Sequence, residues 1–333
     1  MIGLGDVRTA ARRIAPYVAR TPVLEWSGAS GHFLRLKAES LQPVGSFKIR
    51  GAFNRMLTLP DGCPGVVAHS SGNHARAVAH AGRVLGIPTT VVMPSNAPLV
   101  KRRAVEADGA RVVTVGPDSE ERKAAAIDIS VRDGLPLVAP YDDPEVAAGQ
   151  GTAALELWED GGPFDRFYCP VSGGGLIAGC AAALSGLGAL EIIGVEPASG
   201  DDVRRSLAAG RRLAVPPPAT IADGLAVRTP GERVWPTIRA LVGRIETVTD
   251  DELLGAMAFA LSHLRIVLEP SGAAALAAAL RAGRETAGVI LSGGNVEPGL
   301  LAEVAVLAAA PGGRGAGAPA RAGLSRGGAN PRT

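Results

Sequence analysis

The chain has 333 residues, which allows one large domain or two ordinary ones around a sizeable buried core. Its formal net charge of +2 at pH 7 gives no reason to expect a nucleic-acid partner, and no apolar run is long enough to cross a membrane. Cys63, Cys169 and Cys180 are odd in number and widely spaced, so they predict neither a disulfide framework nor a zinc site. We therefore expect a cytoplasmic protein with reduced thiols.

The first predicted element is an amphipathic helix over residues 6–19. Apolar residues recur there every three or four positions, and Asp6 stands where an N-cap would. This N-terminus lacks the hydrophobic core of a signal peptide. At the other end, residues 311–333 are rich in Gly, Ala, Pro and Arg without periodicity, which predicts a disordered tail.

Between these ends, short β-branched runs alternate with helical patterns from Gly65 onward. Such alternation predicts parallel sheets with right-handed crossovers. Because one sheet would not comfortably hold so many strands, we expect two α/β domains with the site between them. The predicted strands are 66–68, 89–93, 111–115, 137–139, 167–171, 192–196, 245–248, 266–268 and 289–291, and the predicted helices among them include 73–85, 98–107, 119–133 and 144–159.

Lys48 is the most informative single residue, because only four of the 34 basic residues, Lys+Arg, are lysines. It follows Gly45 in the run Ser46-Phe47-Lys48-Ile49-Arg50-Gly51-Ala52 and precedes a predicted helix. An amine that must form a Schiff base has to be lysine, since guanidinium stays charged and is not a nucleophile. The alternative is an ordinary solvated lysine at a helix N-terminus.

Two polar loops follow predicted strands and precede predicted helices. His69-Ser70-Ser71-Gly72-Asn73-His74 offers hydroxyls, an amide and free backbone N–H groups to a carboxylate or phosphate, although a simple N-cap is the alternative. Ser172-Gly173-Gly174-Gly175-Leu176 would let backbone amides approach an anion. This second loop also fits G-x-G-x-x-A, with Glu196 where a ribose-binding acid would lie, which would favour a nicotinamide-dependent oxidoreductase.

Two later segments complete the candidate chemistry. Carboxylates at Glu196 and in Gly200-Asp201-Asp202, with the free carbonyls of an irregular loop, suit a hard divalent cation, and a solvated acidic turn is the alternative. Leu291-Ser292-Gly293-Gly294-Asn295 places a hydroxyl at the carboxyl end of a late strand, where ligands of such sheets gather.

Five of these segments occur in an order that resembles the pyridoxal-phosphate (PLP) serine/threonine dehydratases and serine racemases. They are the runs at 46–52, 70–74, 172–175, 220–224 (Thr220-Ile221-Ala222-Asp223-Gly224) and 291–295. The resemblance covers roughly residues 5–305. It implies the two-domain, tryptophan-synthase-β-like α/β fold (PLP fold type II), with parallel-rich sheets flanked by helices. A small domain, 63–144, would be inserted in a large PLP-binding domain, 1–62 and 145–310.

The resemblance also implies roles for individual residues. Those assigned to the cofactor are Lys48 (Schiff base), Phe47 (beside the ring), Asn73 (ring hydroxyl), Ser172, Gly173, Gly174, Gly175 and Leu176 (phosphate), Gly224 (the other ring face) and Ser292 (pyridine nitrogen). Those assigned to the substrate carboxylate are Ser70, Ser71, Asn73 and His74, with Ser71 also a candidate acid opposite Lys48. Those assigned to Mg²⁺, or to Ca²⁺ or Mn²⁺, are Glu196, Asp202 and the carbonyl of Gly200.

Two departures from the family pattern stand out. Ser172 replaces the first residue of a frequent tetraglycine, which is tolerable if its side chain points outward. Ala75-Arg76 stands where Gly-Gln or Ala-Gln is usual. We expect no regulatory domain after residue 311, which would argue against the feedback-regulated biosynthetic threonine enzyme.

The predicted activity is dehydration of L-serine, L-threonine or 3-hydroxyaspartate to a 2-oxo acid and ammonia, with serine racemase activity possible on the same scaffold. The substrate is a small amino acid, and we expect a homodimer. The alternatives are an NAD-dependent oxidoreductase, a β-replacement enzyme such as cysteine synthase, and a non-catalytic cofactor-binding protein.

Overall fold

The computed structural model describes residues 1–28, 31–188, 190–283 and 286–309. Its strands form two sheets, one of six strands in the order β1-β2-β9-β6-β7-β8 and one of three in the order β3-β4-β5. Neighbouring strands are parallel except for the antiparallel pair β1 and β2. The strands are β1 Val23–Ser27, β2 Phe33–Ala38, β3 Val66–His69, β4 Thr89–Pro94, β5 Arg111–Val115, β6 Arg166–Pro170, β7 Glu191–Pro197, β8 Arg244–Val248 and β9 Thr286–Leu291.

Helices connect and cover these strands. They are α1 Leu4–Ile14, α2 Lys48–Met56, α3 Asn73–Leu85, α4 Leu99–Ala107, α5 Ser119–Asp133, α6 Pro144–Gly161, α7 Gly175–Leu184, α8 Asp202–Ala209, α9 Trp235–Leu241, α10 Asp250–Phe259, α11 Pro270–Arg281 and α12 Pro298–Ala309. Several begin at caps that the sequence makes recognisable. Asp118 and Asp143, for example, accept two backbone N–H bonds each at the starts of α5 and α6.

The six-stranded sheet is covered on both faces, which explains why its strands read as continuous apolar runs. Phe167 and Cys169 of β6 pack with α6 and α7 in one core cluster. Tyr168, which points to the opposite face, packs with α10 and α11 in another. Among the described residues, no helix is both long and apolar enough to span a membrane.

The first helix differs from its prediction at both ends. It begins at Leu4 and ends at Ile14, because Pro16 has no backbone N–H with which to continue the helical hydrogen bonds. Asp6 is not the N-cap. It lies in the first turn, and its carboxylate accepts a hydrogen bond of 2.9 Å from the backbone N–H of Gly3.

Two predicted strands are wrong, and two strands were not predicted. Residues 137–139 form only an isolated bridge, Val67 to Leu137, since Pro136 and Pro140 bound so short a run. Ile266 and Leu268 are buried, but residues 266–268 are irregular. They follow a π-helical turn that ends at Arg265 with φ 62°. The two strands without a prediction, β1 and β2, lie before Gly65, where the predicted alternation begins.

The two sheets support the expected pair of α/β units, and the exact boundaries, 1–62 with 145–310 and 63–144, stay a prediction. The predicted tail, 311–333, lies outside the described residues.

Candidate active site

The carboxyl ends of strands from both sheets open onto one cavity of about 280 Å³. His69 ends β3, Pro170 ends β6 and Ser292 follows β9, and all three line this cavity. The structure also brings to its wall every residue predicted to bind the cofactor or the substrate. They are Phe47, Lys48, Ser70, Ser71, Asn73, His74, Ser172, Gly173, Gly174, Gly175, Leu176, Gly224 and Ser292.

Lys48 is the first residue of α2, and its amine is held in the cavity wall. Nζ donates a hydrogen bond of 2.7 Å to the carbonyl of Pro140 and lies 5.2 Å from the centroid of the Phe47 ring. Burial lowers the pKa of Lys48 to about 8, although the nearby Glu269 carboxyl opposes the shift. A larger fraction of neutral amine is therefore present near neutral pH than in a solvated lysine, as a nucleophile or base requires.

The loop between β3 and α3 holds its polar groups in two ways. Ser70 Oγ accepts a bond of 3.1 Å from Gly72 N–H, which shapes the turn. His74 is buried and donates from Nε2 to the Val138 carbonyl at 2.9 Å. Burial lowers the pKa of His74 to about 3, so the ring is neutral at pH 7. His74 can therefore help to shape the loop as a neutral group, but it adds no charge for a substrate carboxylate.

The glycine loop between β6 and α7 has the shape of an anion cradle. Gly174 has φ 96°, a conformation that L side chains rarely adopt, and a Cβ at Gly173 would collide with the ring of Tyr141. The start of α7 supplies unpaired N–H groups. Ser172 Oγ does not point outward to solvent. It is buried without a hydrogen-bond partner in the described structure, so a bound phosphate oxygen would satisfy it.

Glu269 is a cavity residue that the sequence reasoning missed. Its side chain is 6% exposed, and Oε1 accepts a hydrogen bond of 2.6 Å from Asn73 Nδ2. Burial raises the pKa of Glu269 to about 8. The available signal was a lone acid before Pro270-Ser271-Gly272 at the start of a helix. Ser271 is also new to the site, because its Oγ accepts from Gly224 N–H at 3.0 Å.

Comparison with known proteins decides which cofactor this protein uses. Residues 14–293 match the family described as pyridoxal-phosphate dependent enzymes. The chain belongs to this family. The L-threo-3-hydroxyaspartate ammonia-lyase of Saccharomyces cerevisiae is 40% identical over 303 residues, or 88% of this chain and 93% of the relative. The serine racemase of Oryza sativa subsp. indica is 41% identical over 313 residues, which are 90% of this chain and 92% of the relative. The solved structure of maize serine racemase is 39% identical with a TM-score of 0.86, covering 91% of this chain and 96% of that one.

These findings confirm the predicted family, the tryptophan-synthase-β-like fold, PLP as cofactor and an enzyme of the PLP-dependent lyase and racemase class. They favour PLP over a nicotinamide cofactor for the protein as a whole, and the glycine loop as its phosphate cradle stays a prediction. The roles of individual residues stay predictions. The residues present fit the cofactor, since an amine, an anion cradle and an unsatisfied hydroxyl face one cavity.

Three basic side chains line the cavity of this PLP-dependent enzyme close to His69. They are Arg122, Lys123 and Arg228, and one carboxylate, Glu120, lines the cavity beside them. Burial, followed by the charges of Arg122 and Lys123, lowers the pKa of His69 to about 4, which places these cations near the ring. Arg122 Nε is buried and has no hydrogen-bond partner in the described structure. This side of the cavity therefore attracts a second anionic group.

A salt bridge also spans the cavity wall. Lys101 Nζ on α4 lies 2.8 Å from Asp223 Oδ2, which precedes Gly224 in a turn attached to the larger sheet. It links α4, beside the three-stranded sheet, to that turn.

The predicted cation ligands lie behind the cavity, at the end of β7. Glu196 and Asp202 are both buried, and their carboxyl groups are close enough to hydrogen-bond. Glu196 also accepts bonds from the N–H groups of Val203 and Arg204, at 2.9 and 3.0 Å, and so caps α8. Burial raises the pKa of Glu196 to about 8 and that of Asp202 to about 7.

These residues fit a divalent cation. Asp202 Oδ2 is buried and has no partner among the described residues, and a cation would satisfy it. No cluster of three or more His, Cys, Asp or Glu side chains in the described ranges could hold a metal ion. A cation here would thus need the two carboxylates, the Gly200 carbonyl and water.

Proposed function

We propose that this protein is a PLP-dependent ammonia-lyase that dehydrates a small L-β-hydroxy amino acid to a 2-oxo acid and ammonia. The observation that carries the proposal is the placement of the Lys48 amine, the Ser70–Ser71 hydroxyls and the glycine loop on the wall of one cavity. Bound PLP supplies the electron sink that makes the Cα proton acidic. The chain supplies binding, orientation and proton transfer.

Each group has a specific task in this proposal. Lys48 removes the Cα proton, because its lowered pKa leaves much of the amine neutral. Ser70 and Ser71 hold the substrate carboxylate at the start of α3, where backbone N–H groups attract anions. Ser292 would offer a neutral hydroxyl to the pyridine nitrogen of the cofactor, so no carboxylate there would favour protonation of that nitrogen. An unprotonated ring would delocalise electrons less and so favour loss of the β-hydroxyl.

The cations beside the cavity favour 3-hydroxyaspartate over L-serine and L-threonine. Arg122 and Lys123 lie on the cavity wall formed by α5, and Arg122 Nε lacks a partner. A second carboxylate on the substrate would accept from this guanidinium, whereas the side chains of serine and threonine carry no charge. The yeast relative is named for the same substrate.

The test compares kcat/KM for L-threo-3-hydroxyaspartate, L-serine and L-threonine on purified protein with its visible cofactor absorbance. Arg122→Met should lower kcat/KM for hydroxyaspartate roughly 30-fold, the size of one charged hydrogen bond, and change the value for L-serine much less. Arg132→Met, on the exposed face of the same helix, is the control. Equal losses of kcat/KM on all three substrates would contradict the preference for 3-hydroxyaspartate. A purified protein without visible cofactor absorbance would contradict the proposed ammonia-lyase activity.

The second part of the proposal is a divalent cation, Mg²⁺, Ca²⁺ or Mn²⁺, held by Glu196, Asp202 and the Gly200 carbonyl. The unsatisfied Asp202 Oδ2 supports it. The ion would neutralise two buried carboxylates and so stiffen the loop after β7, without joining the chemistry. A homodimer and a cytoplasmic location also remain proposals, which gel filtration and cell fractionation would test.

A further inference from the structure

Arg76 is a half-buried guanidinium with no ion pair in the described part of the chain. It lies on α3 three residues after Asn73, and therefore on the same face of the helix. Its Nη1 donates a hydrogen bond of 3.0 Å to Asn295 Oδ1. A glutamine is usual at this position in the family that the chain resembles, so the positive charge is a feature of this chain that needs its own explanation.

One continuous series of hydrogen bonds connects Arg76 to the cavity. Asn295 Nδ2 donates to Asn73 Oδ1 at 2.7 Å and to the Val44 carbonyl at 2.9 Å. Asn73 Nδ2 then donates to Glu269 Oε1 at 2.6 Å. Asn73 and Glu269 line the cavity, whereas Arg76 and Asn295 lie behind its wall. The hydrogen-bonded side chains that connect Arg76 to the cavity therefore include Asn73.

The donors and acceptors of this series of hydrogen bonds can be arranged in only one way, because the arginine side chain has donors and no acceptor. Facing Arg76, Asn295 must present its oxygen, so its NH₂ group points to Asn73. Asn73 must in turn present its own oxygen to Asn295, which leaves its NH₂ group facing the cavity. A glutamine at position 76 could present either the oxygen or the NH₂ group of its amide to Asn295. It would therefore not fix which group of Asn73 faces the cavity.

We infer that Arg76 is a positioning residue that, through Asn295, keeps the NH₂ group of Asn73 turned into the cavity. One N–H of that group donates to Glu269 Oε1, and the other would donate to the ring hydroxyl oxygen of bound PLP, which is an acceptor when ionised. The inference rests on the proposed function in assuming PLP in this cavity. Asn295 also donates to the Val44 carbonyl, and this bond holds the segment that leads to Gly45 and Lys48.

Arg76→Met tests the role, with Arg76→Lys as the conservative variant. Methionine is close to arginine in length but cannot donate. We expect a shifted visible absorption band of the bound cofactor and about a tenfold lower kcat with KM changed much less, as for one lost hydrogen bond. Arg76→Lys should keep the wild-type band and most of kcat. Arg83→Met, on the exposed side of α3, is the control. If Arg76→Met does not fold, Arg76→Gln should show a smaller shift in the same direction.

A double-mutant cycle with Asn295→Ala distinguishes an effect of Arg76 that passes through Asn295 from a general effect of its positive charge. If Arg76 acts through Asn295, the double variant should match Asn295→Ala in absorption band and kcat. Independent, additive changes would overturn the inference, as would a wild-type band in a folded Arg76→Met protein. A wild-type protein without visible absorbance would instead overturn the proposed function, so the two failures are distinguishable.

Discussion

The side-chain amide of Asn73 and the carboxyl group of Glu269 are joined by a hydrogen bond of 2.6 Å, although 196 residues separate them in the chain. The bond connects the start of α3, beside the three-stranded sheet, to the start of α11, beside the six-stranded one. It leaves a buried carboxyl group facing the Lys48 amine across the cofactor cavity.

Glu269 should make the stability of the cofactor-free protein depend on pH. Its pKa is raised to about 8 in the folded protein, against an ordinary value of 4.5. Between these values the folded state keeps a proton that the unfolded state has lost, so this contribution to stability falls as pH rises. Glu269→Gln should flatten that part of the Tm–pH curve, whereas Glu303→Gln on the exposed face of α12 should not. If the slope of the Tm–pH curve is the same in Glu269→Gln and in the wild type, the Glu269 carboxyl group is more solvated than the structure indicates.

Changing Lys48 should abolish the visible absorbance and the lyase activity together. Lys48→Ala removes the amine, and Lys48→Arg keeps a positive charge that cannot act as a nucleophile. Both variants should be inactive and lack the absorbance that borohydride reduction traps. In the wild-type apoprotein, the rate of PLP attachment should rise with pH and reach half of its maximum near pH 8, where half of the amine is neutral. A trapped adduct in Lys48→Ala would assign the reaction to another lysine.

Ser71 should matter more for racemisation than for dehydration. If it delivers a proton to the face opposite Lys48, Ser71→Ala should erase D-serine formation from L-serine and leave part of the dehydration. Chiral chromatography and 2-oxo acid release measure the two reactions in one sample. Ser70→Ala, in the same loop, is the matched control and should lower both rates together. Equal loss of both in Ser71→Ala would leave Ser71 as a substrate-binding hydroxyl only.

Chelation should destabilise the protein more at pH 8 than at pH 5. Without a cation, Glu196 and Asp202, with pKa values of about 8 and 7, keep protons in the fold and lose that stabilisation as pH rises. At pH 8, EDTA should lower Tm and activity, and Mg²⁺ or Ca²⁺ should restore both. Glu196→Ala should lower Tm and activity as EDTA does, and neither EDTA nor added metal should then change them further.

The control is Asp201→Asn in the same loop, because the Asp201 carboxylate faces Arg204 and Arg205 instead. That variant should keep the response to EDTA. Stability and rate that ignore EDTA at both pH values would leave Glu196 and Asp202 as a buried cap on α8 without a cation.

Local sequence was sufficient for the parts of the site that lie in continuous runs. Four such runs could be predicted, because each is a strand end or a helix start with its own residue pattern. They are the frame around Lys48, the loops at 69–74 and 172–176, and the segment after β9. Their order along the chain was enough to place it in its family. The helices α3 and α5 begin and end where predicted, since Gly86 and Gly134 stop them in the left-handed conformation.

Only the tertiary structure decided how these parts meet. Glu269 and Asn295 contact Asn73 across 196 and 222 residues of sequence, and periodicity carries no information on such distant pairs. The strand prediction for 266–268 failed for the same reason, because burial without a neighbouring strand has the same apolar pattern as a strand. Ser172 turns inward because the fold closes around its hydroxyl. The sequence by itself thus determined the family, the cofactor and the chemical groups, whereas packing between distant segments determined their partners, their burial and the pKa values that follow from it.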